Sequence, residues 1–214
     1  MILVAAGMWH FGNDQMKKEG LDMGKIYLLS YGVQTSLGFR LLLEAIPKES
    51  LWEKKWLIIV GKNYFLTDKI EAGLQKLGVA KSNVEVYLPD RKEQITSQKF
   101  DYIYVAEGNT FELLDYVREQ GLSALVQSQV KQGADYIGIS AGAHLAGRDI
   151  STAIGFDENG KKMKDLTALG LFSGVVIPHY TSMEIARYLA YKEAKKNTEY
   201  ENVYTVGEEE ILIL

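Results

Sequence analysis

The sequence lacks cysteine altogether, has only three histidines and contains no apolar run long enough to cross a membrane. Without cysteine, a disulfide framework, a thiolate metal site and a thiol nucleophile are all excluded. Any histidine-dependent chemistry within one chain must therefore use His10, His144 or His179. A formal net charge of −4 gives no support for binding to nucleic acid. We expect neither nucleic acid nor a membrane as a partner.

The first 24 residues differ from the rest of the 214-residue chain, whose length suits one domain. They lack the basic region of a secretion signal, so we expect a cytoplasmic protein. A purine-rich ribosome-binding sequence followed by a start codon would encode KKEGLDM (17–23). We predict that residues 1–22 are a translated leader with Met23 the natural start, so that 1–24 is a leader or non-core segment and 25–214 form a single domain. The alternative is that MILVAA (1–6) is a real strand at a sheet edge.

Short apolar runs alternate with helical patterns from Lys25 onward. Runs such as KIYLLSYG (25–32) and KWLIIVG (55–61) are typical of strands buried on both faces, whereas LTDKIEAGLQKLG (66–78) places apolar residues at helical spacing. This alternation predicts a three-layer α/β fold with a mostly parallel central sheet and helices on both faces. The last two runs, NVYTVG (202–207) and EEEILIL (208–214), predict a terminal hairpin.

Ser140 comes directly after the predicted strand ADYIGI (134–139) and has a glycine two positions before it and another two positions after it. A nucleophile elbow is a sharp strand-to-helix turn of this kind, in which small neighbours relieve the crowding around a strained nucleophile. The N–H of Ala141, at the start of the following helix, is then placed to stabilise an oxyanion. The alternative is a tight junction in which the serine only caps the helix.

A second glycine-containing turn, AEGNTF (106–111), ends the preceding apolar strand. Gly108 and Asn109 would let the backbone approach a substrate closely, and the N–H there is a candidate for the second oxyanion donor. The alternative is an ordinary connection in which Asn109 or Thr110 caps the next helix. Both descriptions can hold at once.

A serine hydroxyl needs a base, and two histidines lie in the relevant half of the chain. His144 follows the serine by four residues, but an elbow points its serine away from the following helix, so we interpret His144 as a packing residue. His179 lies where the strand GVVIP (174–178) runs out into a loop, and we favour it as the base. Spacing alone does not choose the carboxylate that would orient it. Four candidates lie between the two residues: Asp149, Asp157, Glu158 and Asp165.

Three motifs, in this order, resemble the peptidase E family of aspartyl-dipeptidase-like serine peptidases. They are YVAEGNTFELL (104–114), IGISAGAHLAG (137–147) and VIPHYT (176–181). The family pattern is a Gly-Gly-Asn-Thr-Phe turn, a Ser-Ala-Gly-Ala elbow and a Pro-His-Phe/Tyr segment. The resemblance covers roughly Lys25 to the end of the chain. It implies the fold of class I glutamine amidotransferases and no metal or organic cofactor.

The resemblance also implies roles for particular residues. Ser140 matches the nucleophile and His179 the base, and Ala141 and Gly108 match the oxyanion donors. Asp157 fits the acid of the triad best once a short length difference is allowed. Together these residues imply a serine peptidase that hydrolyses short peptides in the manner of a dipeptidase.

Two features depart from the family pattern. Glu107 stands where the family turn has glycine, and a carboxylate pointing inward there would oppose a developing oxyanion or repel acidic substrates. In aspartyl dipeptidases an arginine after the histidine binds the acidic side chain of the substrate, and Arg187 is the only arginine nearby. We therefore expect Glu107, Asn109 and Arg187 at the substrate site. The alternatives are a non-catalytic binding or regulatory protein with an oxyanion hole impaired by Glu107, or another amidase or esterase.

Overall fold

The computed structural model describes the backbone of Ile2–Val4 together with residues 23–46 and 51–214. The strands in these residues are Ile2–Val4 (β1), Ile26–Leu29 (β2), Trp56–Ile59 (β3), Val84–Val86 (β4), Tyr102–Val105 (β5), Asp135–Ile139 (β6), Gly174–Pro178 (β7), Asn202–Val206 (β8) and Ile211–Ile213 (β9). The helices are Ser36–Ala45 (α1), Thr67–Leu77 (α2), Lys92–Thr96 (α3), Thr110–Glu119 (α4), Leu122–Lys131 (α5), Ala141–Ala146 (α6) and Ile185–Ala194 (α7).

The central sheet has seven strands in the order β1-β9-β2-β6-β5-β3-β4. The five strands from β2 to β4 in this order pair in parallel, while β9 runs antiparallel to β2. The carboxyl ends of β2, β6 and β5 therefore lie side by side at one edge of the sheet. Loops at such an edge are where open α/β sheets bind ligands.

Both faces of the central sheet are covered, because alternate side chains of each strand point to opposite sides. Ile26 and Leu28 of β2 pack with residues of α4, α5 and α6, whereas Tyr27 and Leu29 pack with residues of α1 and α2. All four side chains are buried. The predicted three-layer fold with a mostly parallel sheet is confirmed.

Local sequence explains where several helices begin and end. Thr35 Oγ1 accepts a hydrogen bond from Gly38 N and so caps α1, and Asn109 Oδ1 accepts from Glu112 N and caps α4. Gly78 ends α2 at a φ of 106°, a left-handed conformation that glycine adopts without steric cost. No helix in the part of the chain that the structure describes is both long and apolar enough to cross a bilayer.

The predicted C-terminal hairpin is wrong. β8 pairs in parallel with β7 to form a separate two-stranded sheet, whereas β9 inserts between β2 and β1 in the central sheet. The two last strands are short and close in sequence, but each takes a partner distant in sequence. As a result β7, the strand that leads to His179, belongs to the small sheet.

The N-terminal segment is described only in part. Ile2–Val4 forms β1, an edge strand that pairs in parallel with β9, and this is the arrangement of the alternative considered above. Residues 5–22 of the predicted leader lie outside the described residues. The start at Met23 stays a prediction, and the mass of the intact natural protein would test it.

Candidate active site

Ser140 occupies a strained turn between β6 and α6. Its φ of 49° and ψ of −104° lie in a sparsely populated region for a residue other than glycine. A Cβ at Gly142 would lie 2.2 Å from the carbonyl oxygen of Val105, and one at Gly138 would lie 2.6 Å from that of Gly142. Both glycines are therefore required by close backbone approach, which is the crowding expected of a nucleophile elbow.

The side chains of Ser140 and His179 meet although these residues follow strands of two different sheets. Ser140 Oγ is 3.0 Å from His179 Nε2, a hydrogen-bonding distance. His179 follows β7 and has a φ of 54°, so its backbone is strained as well. The ring of Tyr31 stands edge-on to the imidazole, with 5.0 Å between ring centroids. The structure thus brings together the two residues that the sequence singled out as nucleophile and base.

Burial and charge set the protonation of His179. Burial lowers the pKa of His179, the nearby charge of Arg187 lowers it further, and Glu208, Glu184 and Asp157 partly offset these effects. A lowered pKa keeps the imidazole neutral near pH 7, the state in which it can accept a proton from a serine hydroxyl.

Asp157 binds Thr110 instead of the imidazole. Its Oδ2 accepts hydrogen bonds from Thr110 N at 2.8 Å and from Thr110 Oγ1 at 2.5 Å. Asp149 bonds to Tyr200 Oη and Ser151 N, and Asp165 bonds to Thr167 N. Within the described residues no carboxylate forms a hydrogen bond with His179, so the assignment of Asp157 as the orienting acid stays a prediction.

Two backbone N–H groups lie in the turns around Ser140. Val105 and Gly138 are partners in the β5–β6 ladder, so the turn of Gly108 lies beside the turn of Ser140. Neither Ala141 N nor Gly108 N has an acceptor among the residues that the structure describes. Gly108 has a φ of 150°, which L residues rarely adopt, and a Cβ there would lie 2.3 Å from Asn63 Nδ2, so a larger residue would be strained and would displace the Asn63 side chain. These are the two donors that the sequence predicted for an oxyanion.

The Glu107 side chain lies near the loop that follows β2. Burial raises the pKa of Glu107, while interactions with the Gln34 side chain and the Gly32 N–H lower it in part. β2 and β5 flank β6, so this contact spans the end of the strand that carries Ser140. Neutral polar groups of a neighbouring loop therefore lie close enough to the carboxylate to affect its pKa.

Asn109 and Arg187 are both bound within the protein. Asn109 caps α4 through Oδ1, and its Nδ2 donates to the carbonyl of Glu158 at 2.9 Å, which is the capping role considered as an alternative. Arg187 donates from Nη1 to the carbonyl of Pro178 at 2.7 Å and pairs with Glu184. Its guanidinium also lies 4.4 Å from the centroid of the Phe156 ring. Binding of substrate by either residue stays a prediction.

His144 is a packing residue, as the sequence indicated. It is buried, and its Nδ1 lies 3.0 Å from Thr152 Oγ1, which itself donates to the carbonyl of Val176. Burial lowers the pKa of His144 to about 3, so the ring is neutral at physiological pH. No hydrogen bond joins His144 to Ser140 side chain.

Three residues near His179 carried no sequence signal. Ser30 and Tyr31 follow β2, and Glu208 follows β8, so they come together only in the folded chain. Ser30 Oγ accepts a hydrogen bond from His179 N, and Tyr31 Oη donates to Glu208. Glu208 follows His179 in the sequence and so lies outside the segment between Ser140 and His179 in which the sequence predicts the acid.

Comparison with known proteins gives consistent matches. The model of Peptidase family S51 matches residues 59–214. Peptidase E of Salmonella arizonae is 46% identical over 88 residues, which cover 40% of this chain and 36% of that protein. Peptidase E of Shewanella amazonensis is 30% identical over 143 residues, which cover 67% of this chain and 58% of that protein. The chain thus spans less than two thirds of the length of these relatives.

A solved structure shows the same fold. The crystal structure of a peptidase E candidate from Listeria monocytogenes EGD-e superposes with a TM-score of 0.71 and covers 90% of this chain and 95% of that one. The two sequences are 22% identical, so this likeness concerns the fold alone.

Proposed function

Because the chain belongs to peptidase family S51, we propose that it is a serine peptidase that hydrolyses short peptides. The observation that carries this proposal is the 3.0 Å contact between Ser140 Oγ and His179 Nε2 at a strained strand-to-helix turn. A neutral imidazole at hydrogen-bonding distance from a serine hydroxyl is the arrangement that activates a serine nucleophile.

In the proposed reaction, Ser140 Oγ attacks the scissile carbonyl carbon while His179 Nε2 takes the hydroxyl proton. The amides of Ala141 and Gly108 donate hydrogen bonds to the oxygen that becomes negative. His179 then gives the proton to the leaving amine, and the acyl-enzyme is hydrolysed by water along the same path. The free N–H groups of the two turns support this assignment.

We assign the third role to Asp157, acting on His179 mainly through its charge. Its carboxylate is bound by Thr110, but it is close enough to contribute to the pKa of His179, where it opposes the lowering by burial and by Arg187. Glu208 acts on the imidazole in the same direction and is the alternative acid. An imidazolium forms during the reaction, and a nearby negative charge stabilises it.

The substrate site is proposed to include Glu107, Asn109 and Arg187, around the turn of Gly108 and the loop after β7. Arg187 is paired with Glu184, which weakens its expected attraction for an acidic substrate side chain. We therefore propose a dipeptidase-like activity on short peptides without a strict requirement for aspartate.

The alternative is a non-catalytic binding protein whose oxyanion hole is impaired by Glu107. The interaction of the Glu107 side chain with Gln34 and Gly32 favours the enzyme, because it gives the carboxylate partners other than an oxyanion.

Labelling with a fluorophosphonate separates the two functions. The reagent should modify the wild-type protein at Ser140 and should modify neither Ser140→Ala nor His179→Ala. Ser128→Ala, a change in α5, is the matched control and should be labelled like the wild type. Absence of labelling, together with no hydrolysis in a dipeptide library, would leave the binding protein as the better description.

A further inference from the structure

The nucleophile and base of the proposed peptidase depend on two separate sheets. Ser140 follows β6 of the central sheet, whereas His179 follows β7 of the two-stranded sheet. The distance between Oγ and Nε2 is therefore set by contacts that join the carboxyl ends of the two sheets. A small shift of one sheet relative to the other would separate the reacting atoms.

Ser30 makes such a contact. It follows directly after β2 in the central sheet and is buried. Its Oγ accepts a hydrogen bond from His179 N at 2.8 Å, and its proton faces the carbonyl oxygens of Val206 at 3.1 Å and Gly207 at 3.0 Å. One hydroxyl thus connects β2 with both strands of the small sheet.

The same segment of β2 also holds the nucleophile. The carbonyl oxygen of Leu29, the residue before Ser30, accepts a hydrogen bond from Ser140 N at 2.9 Å. Leu29 and Ser30 therefore bind the backbones of Ser140 and His179 at adjacent positions. The backbones of Ser140 and His179 are therefore both anchored to the same end of β2.

The backbone of His179 needs such support. A φ of 54° is sparsely populated for a residue other than glycine and persists only where the surroundings determine it. Ser30 fixes the N–H of His179, and the next N–H, that of Tyr180, donates to the carbonyl of Val206 at 3.0 Å. Without the hydroxyl, a more populated backbone conformation would turn the imidazole away from Ser140.

We propose that Ser30 is a positioning residue that holds the backbone of His179 so that Nε2 stays within reach of Ser140 Oγ. Among the described residues its hydroxyl forms hydrogen bonds with backbone groups alone, and it takes no part in bond making. This inference rests on the proposed peptidase function.

The first test measures kcat and KM of Ser30→Ala on one dipeptide that the wild type hydrolyses. We expect kcat to fall about 10- to 100-fold with little change in KM, since a misplacement near 1 Å can cost that much in rate. Ser30→Thr keeps the hydroxyl and should recover most of the lost rate. A kcat of Ser30→Ala within twofold of the wild type would overturn the proposal.

Gln129→Leu is the matched control for lost stability. Gln129 is also buried, and its side chain bonds to backbone groups, accepting from Phe100 N at 3.1 Å and donating to the carbonyl of Gln98 at 2.7 Å. These bonds lie before β5, at the opposite end of the sheet from Ser140. The control should lose stability and keep its kcat. If both variants lose kcat in proportion to their loss of stability, Ser30 has only a structural role.

A spectroscopic readout is independent of activity. The chain has three histidines, so the imidazole resonances of His179 can be assigned with His179→Asn and followed with pH. In Ser30→Ala a loosened His179 is better solvated, so its pKa should rise toward the ordinary value, while the resonances of His144 stay unchanged. This measurement tests whether Ser30 positions His179 even if the wild type hydrolyses no peptide. Unchanged His179 resonances would contradict the proposal.

If Ser30→Ala does not fold, Ser30→Cys replaces it in both tests. Its thiol is similar in size to the hydroxyl but is a weaker hydrogen-bond acceptor, so the same fall in kcat and the same rise in the pKa of His179 are expected.

Discussion

Both positive and negative side chains lie near the imidazole of His179. Replacing any one of them should therefore shift the pKa of His179 in a direction that can be predicted. Burial and Arg187 lower that pKa, while Glu208, Glu184 and Asp157 raise it. Asp157→Asn removes one of the negative charges, so we expect the acid limb of the kcat/KM profile to move to lower pH. Arg187→Gln should move the limb to higher pH, because the lowering by the guanidinium is lost.

Asp157→Asn should also lower kcat, by about 10- to 100-fold. This is less than the loss of ~10⁴-fold seen when a directly bonded triad aspartate is replaced, because Asp157 binds Thr110. Asp149→Asn is the control and should be near wild type, since Asp149 bonds to Tyr200 and Ser151. If Asp157→Asn keeps full activity while Glu208→Gln loses much of its kcat, Glu208 and not Asp157 is the acid that acts on His179.

Glu107 provides a second test of charge at a single residue. Two unit charges ~4 Å apart at an effective dielectric near 20 interact by about 4 kcal/mol, or nearly three orders of magnitude in rate. The Gln34 side chain and the Gly32 N–H lie close enough to Glu107 to favour its charged form, and they offer the carboxylate partners other than the oxyanion. We therefore expect Glu107→Gly and Glu107→Gln to raise kcat by less than about tenfold, without tightening substrate binding in proportion.

The pH dependence of kcat separates the effect of the Glu107 charge from the effect of the size of its side chain. Burial raises the pKa of Glu107, so the wild-type residue is negative above that pKa and neutral below it. The ratio of kcat in Glu107→Gln to kcat in the wild type should consequently be larger at high pH and approach one as pH falls. Glu112→Gln, in the first turn of α4, serves as control. A lower kcat in both Glu107 variants would show that the glutamate helps to place the substrate.

Short motifs identified Ser140 and His179, which the fold brings within hydrogen-bonding distance, whereas contacts between distant segments leave no motif in the sequence. Ser140 was recognisable because its flanking glycines reflect a crowded turn, and His179 because it ends an apolar strand. The orienting acid cannot be identified in the same way, because the sequence does not distinguish one carboxylate of a polar segment from another without their hydrogen-bond partners. Ser30 and Glu208 are ordinary residues of loops after β2 and β8, and only the fold brings them to His179.

At the scale of elements, the junction between β6 and α6 leaves no room for a side chain at Gly142. Gly142→Ala would place a Cβ 2.2 Å from the carbonyl oxygen of Val105, so either β5 or the elbow must shift. We expect a loss of at least about 1–3 kcal/mol in the free energy of unfolding, as in overpacked cores, together with loss of labelling at Ser140. Urea unfolding and fluorophosphonate labelling measure the two effects.

Gly160→Ala is the matched control for that substitution. A Cβ at Gly160 meets no atom within 4 Å, so its stability and labelling should stay close to wild type. Equal stability of Gly142→Ala and Gly160→Ala would mean that the elbow tolerates a side chain, and that Gly142 is not required by packing.

Strands and helices were largely predictable from periodicity, but strand partners were not. The apolar runs of β2, β3, β5 and β6 identified buried parallel strands, because both faces of each strand are covered. Adjacency in sequence predicts that the last two strands pair with each other. β8 instead pairs with β7 and β9 with β2, and periodicity carries no information on such distant pairing.

For the whole molecule, the division into two sheets predicts that the site opens before the chain unfolds. The central sheet is buried on both faces, and α2 beside it buries Ile70, Gly73, Leu74 and Leu77. α7, beside the small sheet, buries only Ala194 and leaves Ile185 and Leu189 exposed. Regions with few buried apolar contacts open at lower free energy than the core.

We therefore expect activity to be lost at a urea concentration at which the central sheet is still intact. Hydrogen exchange followed by mass spectrometry should show faster exchange in β8 and α7 than in β3 and β5, and activity should fall together with the protection of β8. A covalent label at Ser140 should not prevent this opening, since it leaves the contacts of α7 unchanged. A single urea midpoint shared by activity and by protection of all four elements would show instead that the two sheets unfold as one unit.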